Sequence, residues 1–170
     1  MSINTVSIGL INPKSATNVG AILRACGCFG GSSVFYTGQR FRYAKDFHSD
    51  TKNAHLHIPH IGVDDLLSMA PAGASTIAIE LVEGATPLPA YSHPENAFYI
   101  FGPEDGSVSQ TVIDDVDDVV YIPTANSLNL AATVNVVLYD RLAKSHYMHS
   151  DDAIKQSRDN NNNLRRTNKD

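Results

Sequence analysis

The stretch that decides the fold is IPTANSLNLAATVNVVLYD, from Ile122 to Asp140. It begins at the end of an apolar strand, Val119–Ile122. Pro123 ends that strand, because proline has no N–H for a ladder hydrogen bond. A polar turn follows, and apolar residues at helical spacing then predict an amphipathic helix from Leu128 to about His146.

A strand that leads through a polar loop into a helix is a common ligand site in α/β proteins. Spacing alone favours a plainer interpretation, in which this segment is a buried C-terminal helix capped by Asn126 or Ser127. The choice between the two interpretations depends on the rest of the chain.

The order of elements predicts an α/β fold. Strands are predicted at residues 5–11, 33–36, 75–80, 96–101 and 119–122, and helices at 18–29, 63–69, 109–113 and 128–146. Residues 37–59 are expected to form a surface loop with one short helix, and residues 82–89 a turn-rich loop. Alternating strands and helices indicate a mostly parallel sheet with helices on both faces.

Length and composition predict one domain and one tail. A chain of 170 residues with 42% hydrophobic and 18% charged residues is typical of a single globular domain, here residues 1–149. Residues 150–170 are polar and include four consecutive asparagines, so we expect this tail to be disordered.

Several classes of protein are not indicated by the sequence. No apolar run is long enough to span a membrane, and the N-terminus lacks a secretory signal, so we expect a cytoplasmic protein. The histidines at 55, 57 and 60 alternate as on a strand, but no cysteine or carboxylate at suitable spacing accompanies them. We therefore predict no metal site. The absence of Gly-rich phosphate-binding motifs argues against a dinucleotide or ATP.

The net charge of −5 counts against a simple nucleic-acid-binding protein, but its distribution is uneven. The stretch from Gln39 to Lys45 is basic and aromatic, whereas the acidic residues gather elsewhere, for example at 114–118. An acidic protein with one basic surface remains compatible with RNA binding.

Three short motifs change the interpretation. They are NVGAILR at Asn18–Arg24, IFGPEDG at Ile100–Gly106, and Ile122-Pro followed by SLN at Ser127–Asn129. In this order and at these separations they resemble the three motifs of the SpoU/TrmH family, in the SPOUT superfamily of RNA methyltransferases. The resemblance extends from about Asn4 to about Lys144, so it covers nearly the whole predicted domain.

The resemblance implies a ligand and an assembly. Family members bind S-adenosylmethionine, which becomes S-adenosylhomocysteine, in loops that follow the strands. By position, the binding residues here would be Leu81 (or its neighbour Glu80), Gly102, Ile122, Ser127 and Leu128. The family also implies a C-terminal trefoil knot and a homodimer with the site near its interface. Val134, Val137 and Leu138 of the last helix offer apolar surface for such a dimer.

The third motif departs from the family pattern. Only Thr124–Asn126 separate Ile122-Pro from Ser127-Leu-Asn, where the family usually has a few more residues. The shorter loop leaves open how far the binding contacts carry over.

The resemblance also assigns catalytic roles, to Arg24, Asn18, Glu104, Ser127 and Asn129. From the pattern alone, Arg24 would be an ordinary surface arginine on an amphipathic helix. The resemblance makes it the arginine that anchors an RNA phosphate and brings the ribose 2′-hydroxyl into reach, since a guanidinium fork fits phosphate. Loss of the hydroxyl proton is assisted by Arg24 or by that phosphate, and both alternatives stay open. Glu104 is either a base or, as we favour, an acceptor of backbone N–H bonds that fixes its loop.

The function that follows is 2′-O-methylation of RNA, with transfer RNA preferred over ribosomal RNA. Arg40, Arg42 and Lys45, together with Arg24, are the predicted RNA contacts. Two alternatives remain. One is a catalytically silent RNA- or protein-binding module that kept the fold, and the other is a methyltransferase acting on a small molecule or a protein.

Overall fold

Seven strands form one sheet in the computed structural model, which describes residues 5–41, 50–145 and 150–166. In chain order they are β1 Val6–Leu10, β2 Ser33–Tyr36, β3 His60–Gly62, β4 Ser75–Ile79, β5 Thr86–Pro87, β6 Ala97–Phe101 and β7 Asp118–Tyr121. The sheet order is β3-β2-β1-β6-β4-β7-β5, and every pairing is parallel. The predicted parallel α/β architecture is confirmed.

The sheet divides the core into two layers, and its central strand β6 packs into both of them. All five of its residues are buried, and alternate side chains point to opposite faces of the sheet. Tyr99 and Phe101 pack in the larger cluster, together with the buried faces of the two long helices. Phe98 and Ile100 pack in a smaller cluster on the other face. Burial on both faces explains why β6 is apolar at every position.

Four α-helices are described: α1 Ala16–Phe29, α2 Gln110–Asp115, α3 Leu130–Lys144 and α4 Asp151–Ser157. The long helices α1 and α3 lie against each other on one face of the sheet, and α2 covers the other face through Val112 and Val116. Helices therefore cover both faces, as expected. Residues Val134, Val137 and Leu138 of α3 are buried in this core, so the prediction that they are spare surface is wrong.

The helix ends are fixed by capping residues. Ser15 caps α1 by accepting from the backbone N–H of Asn18, and Gly30 ends the helix in the left-handed conformation with a φ of 76°. The cap of α3 is Asn129, whose Oδ1 accepts from the backbone N–H groups of Ala131 and Ala132. The prediction of Asn126 or Ser127 as the cap is therefore wrong by two or three residues.

Other elements differ from the sequence-based expectations. The edge strands β3 and β5 were not predicted, because a strand of three or two residues carries too little alternation to be recognised. Only a 3-10 turn, Leu67–Met69, forms where a helix at 63–69 was predicted. His55 lies in another 3-10 turn, whereas His60 begins β3, so these histidines do not share a strand.

The C-terminal segment predicted to be disordered contains α4, which buries none of its side chains. Ser150 caps this helix by accepting from the backbone N–H of Ala153, and Asp151 and Asp152 favour its positive N-terminal end. A short helix therefore lies within this segment, and the disorder of residues 150–170 stays a prediction. The division into a domain of residues 1–149 and a separate tail remains a prediction.

Two further features concern the described residues only. None of their helices is long and apolar enough to cross a membrane. Within the same ranges, no three His, Cys, Asp or Glu side chains are grouped so that they could hold a metal ion.

A buried polar network fastens the second half of α3 to the segment before β6. His93 Nδ1 lies 2.6 Å from the hydroxyl of Tyr99, and its Nε2 lies 2.9 Å from Asp140 Oδ2. Arg141 donates to the same hydroxyl and to the carbonyl oxygens of Pro94 and Glu95. Because the Tyr99 hydroxyl accepts from Arg141, its proton is available to Nδ1 of His93. Nε2–H of a neutral imidazole then donates to Asp140.

Burial lowers the pKa of His93 below its usual value, although Asp140 opposes this effect and Arg141 and Lys144 reinforce it. The side chain is only 4% exposed, so the neutral imidazole is the form that the fold stabilises. A histidine with a lowered pKa in the folded state binds its proton more readily when the chain is unfolded.

We expect the free energy of unfolding to decrease as the pH falls below about 6.5, the ordinary pKa of an unfolded histidine. Urea unfolding between pH 8 and pH 5 measures this dependence. The variant His93→Gln should be less stable at pH 8 by about 1–2 kcal/mol, from the weakened hydrogen bonds. Its free energy of unfolding should also depend less steeply on pH. Equal pH slopes in the two proteins would show that His93 is not the titrating group.

Candidate active site

Three neighbouring strands, β6, β4 and β7, end at the same edge of the sheet, because parallel strands share the direction of their C-terminal ends. The loops that follow them, with the first turn of α3, enclose a pocket. It is lined by Ile79, Glu80, Leu81, Phe101, Gly102, Pro103, Glu104, Gly106, Ile122, Thr124, Ser127, Leu128, Leu130 and Thr133. The predicted cofactor-binding residues Leu81, Gly102, Ile122, Ser127 and Leu128 all lie in this set.

Gly102 allows the loop after β6 to fold back closely on itself. A Cβ atom at this position would lie 3.1 Å from the backbone N of Val108 and 3.4 Å from Oε2 of Glu80. A side chain would therefore push against backbone that has little room to move. Glycine at this position keeps the loop of residues 102–108 compact beside the end of β4.

Glu104 is the acceptor at the centre of this edge. Its Oε1 accepts from the backbone N–H of Ser15 at 3.0 Å and from Nδ2 of Asn18 at 2.9 Å. Its Oε2 accepts from the backbone N–H of Lys14 at 2.8 Å. Burial on its own raises the pKa of Glu104, but these hydrogen bonds outweigh it and the net pKa is lowered. The arrangement is that of an ionised carboxylate that fixes a loop, the geometry that we favoured for it.

Asn18 and Asn129 extend this contact to the start of α3. Nδ2 of Asn129 donates to Oδ1 of Asn18 at 3.1 Å, while Oδ1 of Asn129 caps the helix. We call this series of hydrogen bonds the Glu104–Asn18–Asn129 chain. It joins the starts of α1 and α3 to the loop after β6, and thereby brings all three sequence motifs together.

Ser127 and Leu128 lie in the third motif and border the pocket on its open side, where Leu128 is 41% exposed. Thr124 Oγ1 donates to the carbonyl oxygen of Asn126 at 2.7 Å, which closes the short turn between Ile122 and Ser127. This bond shows how the shortened third motif still places Ser127 at the pocket.

Glu80 is a second carboxylate at the pocket. Its Oε1 accepts from the backbone N–H of Leu81 and its Oε2 from the backbone N–H of Val108, each at 2.9 Å. It thus links the loop after β4 to the loop after β6. Among the pocket residues that the sequence did not single out, Leu130 and Thr133 lie one and four positions after Asn129, so their place follows once the true cap of α3 is known.

Arg24 lies outside the pocket lining. It is exposed on α1, about 120° around the helix from Asn18, and its Nη1 donates to Thr51 Oγ1 at 2.8 Å. The neighbouring turn is stabilised by buried Asp50, whose carboxylate accepts from the backbone N–H groups of Ala54 and His55. No pattern in the sequence indicates Thr51, because this contact joins segments far apart in the chain.

Arg40 is bound to other loops of the same chain. Its Nη1 lies 2.9 Å from both carboxylate oxygens of Asp105, and its Nε donates to the carbonyl oxygen of Asn12. The hydrogen bond from Arg40, with its charge and that of Lys14, lowers the pKa of Asp105. The predicted RNA contacts Arg42 and Lys45 lie outside the described residues.

The chemistry of the lining restricts the ligand. Leu81, Ile122 and Leu128 offer apolar contacts, the loops offer backbone groups, and Glu80 and Glu104 are acidic. No basic side chain belongs to the described lining. Phosphate groups need basic or N–H-rich sites, so this lining fits a ligand that has an apolar aromatic group and no phosphate, such as S-adenosylmethionine.

Several solved structures share this fold. The chain matches a TrmH/SpoU tRNA-modifying enzyme of A. aeolicus with a TM-score of 0.71 and 22% identity, over 82% of this chain and 74% of that one. It matches the SpoU methyltransferase AviRb of Streptomyces viridochromogenes, in complex with AdoMet, with a TM-score of 0.71 and 18% identity. That match covers 83% of this chain but only 58% of AviRb, so the chain spans less than two thirds of this neighbour.

A third structure comes from work on the 2-OH methylation of C/U34 on tRNA. It matches with a TM-score of 0.70 and 21% identity over 81% of this chain and 94% of that one. No curated protein sequence shows significant similarity to the chain.

The sequence profile of the SpoU rRNA Methylase family matches residues 5–139, which is most of the 170-residue chain and includes all three motifs. The chain therefore belongs to the SpoU rRNA methylase family, as an RNA methyltransferase with S-adenosylmethionine as its cofactor.

Proposed function

We propose that this protein transfers a methyl group from S-adenosylmethionine to a ribose 2′-hydroxyl of transfer RNA. The observation that carries the proposal is the Glu104–Asn18–Asn129 chain, which unites the three motifs beside a pocket that fits the cofactor. The match to a protein of the 2-OH methylation of tRNA over 94% of its length supports both the ribose and the tRNA. Such a substrate would place the enzyme in the cytoplasm.

The cofactor would lie among Leu81, Gly102, Ile122, Ser127 and Leu128, where it supplies an electrophilic methyl group on a sulfonium. The apolar side chains would enclose the adenine, and the backbone of the three loops would provide hydrogen bonds. The Glu104–Asn18–Asn129 chain would hold these loops in place before the ligand binds. In this proposal the C-terminal part of the domain forms a trefoil knot, as the family resemblance implies.

Arg24 would bind the RNA rather than the cofactor. It is exposed, and its guanidinium has five N–H donors, of which one group, at Nη1, donates to Thr51 among the described residues. A phosphate held by this fork would position the 2′-oxygen at about 3 Å from the methyl group, in line with the bond that breaks. The proton of the hydroxyl would pass to Arg24 or to the phosphate.

A homodimer would reconcile the position of Arg24 with this role, because Arg24 lies outside the pocket lining of its own chain. The exposed side of α3 offers surface for such an assembly, since Val136 is 38% and Tyr139 61% exposed. Tyr139 also contacts the ring of Phe29 edge-on, with 6.3 Å between the centroids, so the surface continues onto α1.

The decisive experiment is methylation of tRNA from a strain that lacks this gene. With methyl-labelled S-adenosylmethionine, the purified protein should produce a 2′-O-methylated nucleoside, identified by mass spectrometry after digestion. The variant Arg24→Ala should lose turnover but keep its affinity for the cofactor, measured by calorimetry. A methyl group on a base would contradict the ribose assignment, and bound cofactor without methylation of any RNA would favour the silent module.

Loss of the Glu104 carboxylate should loosen the pocket. In Glu104→Gln, an NH2 group would replace one of the carboxylate oxygens that accept from backbone N–H groups, so a donor would face a donor. We therefore expect a loss of about 1.5–3 kcal/mol in unfolding free energy and weaker cofactor binding. Urea unfolding and calorimetry measure the two effects. The control is Asp115→Asn, an equal charge change at an exposed position on α2. Equal effects in both variants would remove Glu104 from this role.

The basic stretch should contribute to RNA binding through its charge. The double variant Arg40→Ala/Arg42→Ala should bind tRNA less tightly, and the slope of log affinity against log salt should decrease by about 1.5. The variant Asp105→Asn tests the opposite change, because it frees Arg40 from its ion pair and should strengthen the binding of tRNA. An unchanged salt slope in the double variant would clear both arginines of phosphate contacts.

A further inference from the structure

The pocket at the sheet edge has an uneven charge. Two carboxylates, Glu80 and Glu104, belong to its lining, and none of the other described lining residues carries a charge. Charged groups at the walls of a cleft act on a ligand more strongly than they would in water, because the protein partly replaces the solvent. The pocket is therefore set to attract positive charge.

The two carboxylates differ in how far their charge is offset. Glu104 accepts three N–H bonds, two of them from backbone groups at the start of α1, where the helix dipole is positive. Glu80 accepts two bonds, from Leu81 and Val108, and has lone pairs to spare. Glu80 is thus the carboxylate whose charge is more available to a ligand.

Glu80 is also held in place. Its two oxygens are bound to two different loops, and Oε2 lies 3.4 Å from the position that a Cβ atom of residue 102 would take. The side chain cannot turn into solvent without breaking both bonds. Any ligand that fills the pocket therefore shares the space with a fixed negative charge.

We propose that Glu80 makes the pocket discriminate between the cationic cofactor and its neutral product, an inference that rests on the proposed function. Methyl transfer breaks the bond from sulfur to the methyl carbon, whose electron pair stays on sulfur, and the methyl carbon bonds to the substrate oxygen as the hydroxyl proton leaves. A cationic sulfonium thereby becomes a neutral thioether. Attraction by Glu80 is present before transfer and absent afterwards, so it favours exchange of product for fresh cofactor.

The test compares three ligands by calorimetry: S-adenosylmethionine, S-adenosylhomocysteine, and sinefungin, in which a protonated amine replaces the methyl sulfonium. All three share the adenosine, carboxylate and amino groups, so they differ only in the central group, which is cationic in two of them and neutral in S-adenosylhomocysteine. In Glu80→Gln we expect the affinity for the two cationic ligands to fall about three- to tenfold relative to that for S-adenosylhomocysteine. Glu83→Gln, the same charge change at an exposed residue outside the described lining, should leave the ratios unchanged.

The outcomes separate the possible errors. A uniform loss of affinity for all three ligands in Glu80→Gln would mean that Glu80 only holds the loops, and would overturn the inference. Retained binding with unchanged ratios would overturn it as well. Failure of the wild-type protein to bind any of the three would instead overturn the cofactor site of the proposed function.

A measurement on the wild-type protein covers the case in which Glu80→Gln does not fold. The ratio of the affinity for S-adenosylmethionine to that for S-adenosylhomocysteine should decrease as salt is raised, because salt screens the attraction of Glu80 for the sulfonium. A ratio that stays constant from 50 mM to 1 M salt, roughly a fourfold change in Debye length, would contradict the inference.

Discussion

The site depends on one constraint, the hydrogen bonds of Glu104 to the start of α1. A carboxylate that accepts from two backbone N–H groups and from Asn18 fixes a loop that would otherwise follow β6 freely. Oδ1 of Asn18 in turn accepts from Nδ2 of Asn129, whose own Oδ1 caps the start of α3. Glu104 and Asn18 are partly buried, and the hydrogen bonds of this series satisfy their polar groups. The three motifs lie far apart in sequence, and the Glu104–Asn18–Asn129 chain gives a physical reason for their occurrence together.

The parallel sheet makes that constraint possible. Because β6 lies between β1 and β4, its C-terminal loop can meet the loop after β1 on one side and the loop after β4 on the other. Glu104 contacts the first of these and Glu80 reaches across the second. The apolar residues of β6 pack on both faces and hold this strand rigidly in the middle. Glu104 follows β6 and Glu80 follows the neighbouring strand β4, so each carboxylate is positioned by a strand whose C-terminal end is buried, which is what a preformed binding pocket needs.

Secondary structure is predicted best where an apolar pattern is long, and site residues are predicted best where they belong to a recognisable motif. Strand β2 and the C-terminal end of α1 follow from apolar runs and from glycine, whereas α1 begins two residues before its predicted start. The family resemblance singles out part of the pocket lining, namely Leu81, Gly102, Ile122, Ser127 and Leu128, whose contact with the cofactor stays a prediction. Asn129 as a cap was missed because Asn126 and Ser127 are equally good capping residues, and only packing of α3 decides among them. The Arg24–Thr51 and Arg40–Asp105 contacts were missed because they join distant segments through single side chains, which leave no periodic signal in the chain.

The positions of the charges explain how one small domain can serve two ligands of opposite charge. S-adenosylmethionine carries a sulfonium, and the pocket proposed for it is lined by two carboxylates and no described basic group. RNA carries phosphates, and the arginine proposed to bind them lies outside that lining, on the exposed side of α1. Under the proposed function, Glu80 and Glu104 would repel a phosphate from the pocket and attract the sulfonium. The net charge of −5, which at first argues against RNA, is consistent with this arrangement, because a local field at each site matters more than the sum over the surface.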